Sequence, residues 1–262
     1  TAVAANDYLG PMSYPMYPGV AAGFPATVNY LLKKGAKRAA VIYIDAPEAA
    51  VAAQTFVVKP YQAGGGSAVA IAAAPSAPDF TPVVEKALQS KPQVIFMLQD
   101  ENDSIRVAQA AAQLGYTGLL APSGYGPTYV KTLSSAQLQN TVIGLETNLG
   151  SPNPNRTLFF AAMKKYQPRA PINTYSSANF GSVMTLQTMC KPLGFSGCTA
   201  SGLLPTLKAP QNIPVFLGKT LSASTPVSFA GATTHAFNPW LKMARINRNG
   251  SYTDLTRQWL KG

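Results

Sequence analysis

A single histidine, His235, and only two cysteines leave this chain poorly supplied for metal or acid–base chemistry. Zinc takes three or four protein ligands, which one histidine and a cysteine pair do not complete. A Ser-His-Asp arrangement needs one histidine, but there is no Gly-x-Ser-x-Gly elbow, and Thr233-Thr234-His235 shows no recognisable partner. His235 reads as a surface or packing residue. Gly64-Gly65-Gly66 lacks the Lys-Ser/Thr of a phosphate loop and follows a helix-like stretch, so it reads as a turn. No catalytic residue, metal or cofactor is therefore expected. No apolar run reaches the roughly 18–20 residues of a membrane-spanning helix, and no repeat of solenoid period is visible. Thr1–Asp7 has neither the basic nor the apolar region of a signal peptide, so an export signal is expected to be removed already or to lie outside this sequence.

Acidic residues are also scarce: 10 Asp and Glu against 21 Lys and Arg, a formal charge of +11. None occurs between Glu146 and Asp254, while Arg156, Lys164, Lys165, Arg169, Lys191, Lys208, Lys219, Lys242, Arg245 and Arg248 all do. A basic half attracts an acidic ligand, an anionic surface or an acidic protein face. The basic residues stand mostly singly, without the clustered blocks of a nucleic-acid module, so nucleic acid is not an expected partner. With 47% hydrophobic and 12% charged residues the composition is that of a folded domain or pair of lobes.

Four apolar, strand-like stretches each end in polar residues. They are Ala39–Ile44 before Asp45, Gln93–Leu98 before Gln99-Asp100, Gly118–Ala121 before Pro122-Ser123-Gly124-Tyr125, and Thr141–Leu145 before Glu146-Thr147. Helix-like segments separate the first three, the pattern of a parallel α/β sheet. Ligands bind such sheets outside the carboxyl ends of the strands, and this edge carries acids, amides, hydroxyls and an aromatic ring.

Ala21–Lys34 has helical spacing and Gly35 as its stop. A second helix runs from Pro47 to the glycine break, a further strand covers Ser67–Ala74, and a helix covers Thr81–Ser90. Asp103 or Ser104 is expected to cap the helix Ile105–Leu114, with Gly115 closing it. A short helix follows around Thr128–Leu133. After Asn148 the texture becomes helical, with Arg156–Tyr166 and Tyr175–Met189, then Pro-rich connections through Ala209–Pro226. Trp240–Asn247, Asn249-Gly250 and the residues after them read as a hairpin. Cys190 and Cys198 enclose Gly194 and Gly197, which suits a local disulfide in an oxidising compartment; two unpaired thiols are the alternative.

The order of these segments resembles the type I periplasmic binding proteins of the Leu/Ile/Val kind, the extracytoplasmic receptors of ABC importers. The resemblance runs through residues 35–45, Pro78-Asp79-Phe80-Thr81-Pro82, Lys91-Pro92-Gln93-Val94-Ile95-Phe96, Gln113-Leu114-Gly115-Tyr116-Thr117-Gly118, and Thr234-His235-Ala236-Phe237 leading to Trp240–Arg248. It implies three-layer parallel α/β lobes, the second nearly complete and the first partial. On that reading residues 1–20 are the end of lobe 1 and the crossover, 21–147 are lobe 2, 148–225 are the helical part of lobe 1, and 226–262 return to lobe 2. The sheet-bearing start of lobe 1, roughly a hundred residues in the family, is expected on a removed or separate polypeptide. Carried over by position, the ligand contacts fall at Asp45, Asp100, Asn102, Ser123, Tyr125 and Tyr175. The Glu that commonly holds an amino group in the family falls near Ser123-Gly124, where no acid stands. The implied function is capture of a small molecule, amino-acid-like or anionic, for delivery to importer membrane subunits outside the cytoplasm.

Two other functions fit the same fold. One is a ligand-sensing module regulating a receptor or operon; the other is an α/β enzyme using Asp45, Asp100 and Glu146. Binding is preferred because the acids are few and no nucleophile or metal motif accompanies them. Three further expectations follow. Tyr125→Ala weakens ligand binding with little loss of stability. Cys190 and Cys198 are bonded. The helices after Asn148 expose Phe159, Phe160, Met163, Phe180, Val183, Met184 and Leu186, to be covered by a polypeptide richer in Asp and Glu.

Overall fold

The computed structural model describes residues 13–75, 77–208, 212–222, 228–229, 232–233 and 238–262. His235 and the segment 234–237 lie outside the described residues. The chain divides into two compact units. One, the sheet unit, comprises Phe24–Gly144 and Met243–Arg257; the other, the helical unit, takes in the chain up to Gly23, Leu145–Lys242 and Gln258–Gly262.

In the sheet unit, β1 (Arg38–Ile44), β2 (Ser67–Ala73), β3 (Val94–Leu98) and β4 (Leu119–Pro122) form a parallel sheet in the order β2-β1-β3-β4. β3 is buried at every position, as a central strand covered on both faces must be, and this is why Val-Ile-Phe-Met-Leu shows no alternation. Around the sheet lie α1 (Gly19–Lys33), α2 (Pro47–Ala53), α3 (Lys59–Ala63), α4 (Thr81–Leu88), α5 (Glu101–Gln113), α6 (Pro127–Thr132) and α7 (Ser135–Gln139). Phe96 of β3 meets Phe24 of α1 at 6.4 Å and Tyr61 of α3 at 6.0 Å between ring centroids, both edge-on. Gly35 takes φ 86° just past α1, the left-handed turn that ends a helix at low cost in glycine.

Two local expectations need correction. The single helix expected from Pro47 contains a π-helical turn at Gln54–Val58, next to Pro60, whose missing N–H interrupts the ladder. The cap of α5 is Asp100, not Asp103 or Ser104: its Oδ1 accepts the Asp103 N–H at 2.8 Å, and both later residues are buried in the first turn. α7, five residues long, is a further helix; Ser134 and Gln137 cap it reciprocally in a capping box.

β5 (Ile143–Leu145) leads into the helical unit, which contains α8 (Pro154–Tyr166), α9 (Thr174–Cys190), α10 (Gly194–Gly197) and α11 (Ala200–Lys208). The short antiparallel pairs β6 (Asn212–Ile213) with β7 (Leu221–Ser222) and β8 (Ser228–Phe229) with β9 (Ala232–Thr233) follow. β10 (Trp240–Ile246) and β11 (Tyr252–Asp254) make the expected hairpin, with Gly250 at φ 78°, and β12 (Leu260–Lys261) pairs with the start of β10. Phe159 of α8 packs on Phe180 of α9 at 5.3 Å, and Phe180 on Phe216 at 5.7 Å. The expected exposed stripe is thus only partly exposed. Phe159 and Met163 are buried and Phe160, Phe180 and Met184 half-buried, whereas Val183 (66%) and Leu186 (40%) face solvent.

Cys190 and Cys198 are disulfide-bonded, with Cα atoms 5.0 Å apart, tying the end of α9 to the loop beyond α10. Loop-closure entropy for so short a loop predicts that reduction lowers the unfolding free energy by about 2–3 kcal/mol. Urea unfolding with and without reductant checks it; coincident curves contradict it. Burial raises the phenols of Tyr61, Tyr116, Tyr129 and Tyr252 above their ordinary value of 10.0. The folded chain holds these protons more tightly than the unfolded chain. Their stabilisation is complete below about pH 10 and is lost as pH rises beyond it. Base titration at 295 nm should show part of the tyrosinate signal appearing only together with loss of circular dichroism; ionisation of all 12 tyrosines in a still-folded chain contradicts this.

Candidate functional site

The C-terminal edge of the parallel sheet brings several expected residues to one level. Tyr43 pairs with Leu98 and Met97 with Pro122 in the parallel ladders. Counting on two residues from the first pair and three from the second sets Asp45, Asp100 and Tyr125 opposite one another just beyond the strands. Asp45 donates its N–H to Ala73 O at 2.8 Å, and both Asp45 and Asp100 are exposed. Asn102 is exposed in the first turn of α5, and Ser123 is half-buried. Tyr125 is only 4% exposed.

The exits of β3 and β4 are stitched together. Ser123 donates its N–H to Met97 O at 2.9 Å and its hydroxyl to Gln99 O at 3.0 Å. Gly124 lies against the backbone of Gln99, Asp100 and Glu101, closely enough that a Cβ there would stand 2.5 Å from Asp100 C. Glu101 closes the other side: its Oε1 accepts the Tyr129 N–H at 2.7 Å, in the first turn of α6, and Gly126 lies beside the same carboxylate. The acidic cluster Asp100, Glu101 and Asp103 is engaged internally. Asp100 caps α5, Glu101 holds α6, and Asp103 pairs with Arg106 at 3.5 Å. No group of three metal-ligating side chains occurs among the described residues.

Sequence reasoning underrated Gln99, which ends β3. It is 7% exposed, and neither its carboxamide oxygen nor its nitrogen has a hydrogen-bond partner among the described residues. A buried amide with two donors and an acceptor unspent is costly unless something else engages it. The legible signal was an amide at the end of a fully apolar strand.

Tyr175 belongs to the helical unit, not to the unit that holds the other five candidates. It is the second residue of α9, which Asn173 caps in a capping box with Ser176, and it is 39% exposed. Glu146, named from sequence only as one acid of the enzyme alternative, is in this unit too and is 8% exposed. The Tyr175 phenol is held above its ordinary value by burial first and by the Glu146 charge second.

A parallel three-layer lobe with a polar C-terminal edge, joined to a second unit through repeated chain crossings, is the architecture of the type I periplasmic binding fold. Residues 2–251 match the family described as periplasmic binding protein, and the chain belongs to it. No curated protein matches the chain. Among solved structures it is similar to a fatty acid ABC transporter substrate-binding protein from Thermomonospora curvata, at TM-score 0.77 and 14% identity over 97% of this chain and 66% of that one. It is also similar to a putative branched-chain amino acid ABC transporter from Rhodospirillum rubrum, at TM-score 0.74 and 16% identity over 97% and 71%. A third is a solute binding protein of an ABC transporter from Rhodopseudomonas palustris BisB5, solved with 3,4-dihydroxy benzoic acid, at TM-score 0.69 and 16% identity over 92% and 65%. At these identities the likeness concerns fold, and the chain spans about two thirds of the length of these relatives. No helix among the described residues is long and apolar enough to cross a membrane.

Proposed function

We propose that this chain is part of an extracytoplasmic solute receptor that captures a small molecule without transforming it and passes it to the membrane subunits of an ABC importer. The observation that supports this most is the edge of β3 and β4, where an unpartnered Gln99 carboxamide stands beside exposed Asp100 and half-buried Ser123. Such an edge offers fixed donors and acceptors for orienting a ligand, while Asp100, Glu101 and Asp103 serve the loops rather than a reaction. Asp45, Asp100, Asn102, Ser123, Tyr125 and Tyr175 are the proposed ligand contacts. Native mass spectrometry of protein taken undenatured from its source tests the reading: a retained small molecule is expected. An empty protein that also ignores a metabolite extract in a thermal-shift screen counts against it.

A second polypeptide face is part of the proposal. Val183 and Leu186 lie on one side of α9, Leu158 on α8 is 48% exposed, and no acid accompanies them between Glu146 and Asp254. An apolar, basic face of this kind suits a neighbour richer in Asp and Glu. Light scattering of the chain alone should show concentration-dependent association; a monomer at all concentrations argues against an uncovered interface.

A further inference from the structure

The sheet unit is electrically polarised along its strands. Of its eight acids, Asp45, Glu48, Asp79, Asp100, Glu101 and Asp103 lie between the end of a strand and the first turn of the next helix. Those loops all belong to the C-terminal edge of the sheet. The loops at the opposite edge carry Lys33, Lys34, Lys37, Arg38 and Lys91, all of them exposed. No acid occurs in residues 24–44 or 86–99, the stretches that hold these five.

Hydrogen bonds gather the five onto one face. Gln93 Oε1 accepts the N–H of Lys37 at 2.8 Å and that of Arg38 at 3.2 Å, and Gln93 Nε2 donates to Gly35 O at 3.4 Å. Arg38 Nε donates to Lys91 O at 2.8 Å, which joins the start of β1 to the approach to β3. Lys91 takes φ 49°, a left-handed conformation uncommon outside glycine, with its N–H donated to Leu88 O at 2.9 Å. Glycine would adopt it with less strain, so a lysine here runs against the local backbone preference. The ion pair found among the described residues is Arg106–Asp103, and no carboxylate there neutralises any of the five. Lys33 and Lys34 complement the macrodipole at the end of α1. Lys37, Arg38 and Lys91 stand outside any helix and have no such explanation.

We propose that Lys33, Lys34, Lys37, Arg38 and Lys91 form a docking face for an anionic lipid surface. A protein partner is gripped through large apolar or aromatic anchors, and lysine is depleted at such interfaces. None of the large apolar side chains exposed among the described residues belongs to residues 33–38 or 88–93. A layer of phosphate headgroups presents diffuse negative charge and asks for no such anchor, and each lysine or arginine brought near it adds to binding. Docked this way, the unit directs its acidic edge away from the lipid, where like charges do not repel it. The face is separate from the ligand edge and goes beyond the receptor reading.

Flotation of the purified chain with vesicles tests this, using phosphatidylcholine alone and an equal mixture with phosphatidylglycerol. The wild type is expected to float with the mixture only, and to be released as added salt screens the charges. Lys37→Gln combined with Lys91→Gln is expected to lower the partition coefficient about 25-fold, at about fivefold per cation. Lys164→Gln combined with Lys165→Gln, on α8, removes the same net charge and is expected to leave partitioning near the wild type. Lys91→Gly alone is expected to weaken binding about fivefold while melting no lower than the wild type, because glycine relieves the backbone. Equal losses in the two paired variants assign binding to net charge and overturn the face. Equal flotation with both compositions, or none with either, overturns it too. Capture by polyglutamate or a DNA duplex, lost in the face variants while vesicles are ignored, overturns lipid as the occupant. If the paired face variant does not fold, a Lys91→Gly chain with wild-type flotation overturns the proposal instead.

Discussion

Gly124→Ala is expected to lower the unfolding free energy by about 3 kcal/mol and to abolish ligand retention together. A Cβ at this position would stand 2.5 Å from Asp100 C, 2.6 Å from Glu101 N and 2.7 Å from Gln99 O. All three are main-chain atoms, so no flexible side chain can yield and the exits of β3 and β4 must part. Parting them breaks the 3.0 Å bond from the Ser123 hydroxyl to Gln99 O and moves the backbone that carries Asp100. Gly23→Ala supplies the control. Nothing lies within 4 Å of a Cβ there, and within a helix alanine gains up to about 1 kcal/mol over glycine. Urea midpoints of the two variants should therefore shift in opposite directions. A Gly124→Ala chain with the wild-type midpoint and a retained ligand would show that the loops are not in the contact described.

Much of this was written in local pattern. The run Val94-Ile-Phe-Met-Leu, short and wholly apolar, reads as a strand covered on both faces, and Gly35 and Gly115 stand at positive φ where helical spacing stops. Parallel direction followed from the helices between strands, and with it the edge on which polar residues collect. The cap of α5 was not legible in the same way. Asp100, Asp103 and Ser104 are all good capping residues within one turn, and only the backbone geometry decides which oxygen reaches an N–H. The contacts of the helical unit were also hidden. Thr147 meets Ser177 at 2.7 Å, and the Tyr17 hydroxyl reaches Phe216 O from the far end of the sequence. No periodicity records such contacts. The same limit applies to Tyr125, whose place after β4 marked it as a site residue and gave no sign of its burial.

That burial reverses one expectation from sequence. A ring that mainly stacks on a ligand is exposed in the free protein, and its removal costs little stability. Tyr125 is 4% exposed, so its ring fills protein volume whether or not a ligand is present. Tyr125→Ala is accordingly expected to cost about 3–5 kcal/mol, the range for emptying a buried aromatic position. Because the residue directly follows Gly124 on the stitched loop, its loss should loosen the Ser123–Gln99 bond as well, and the two substitutions should not add independently. Tyr125→Phe separates the roles of ring and hydroxyl. It keeps the packing volume, so its urea midpoint should stay near that of the wild type, and any fall in ligand affinity then belongs to the hydroxyl. If Tyr125→Ala instead melts with the wild type and loses only affinity, the ring serves the ligand and not the core. If both variants match the wild type in stability and in binding, Tyr125 contributes to neither, and the proposed contacts contract to the polar groups at the ends of β1, β3 and β4.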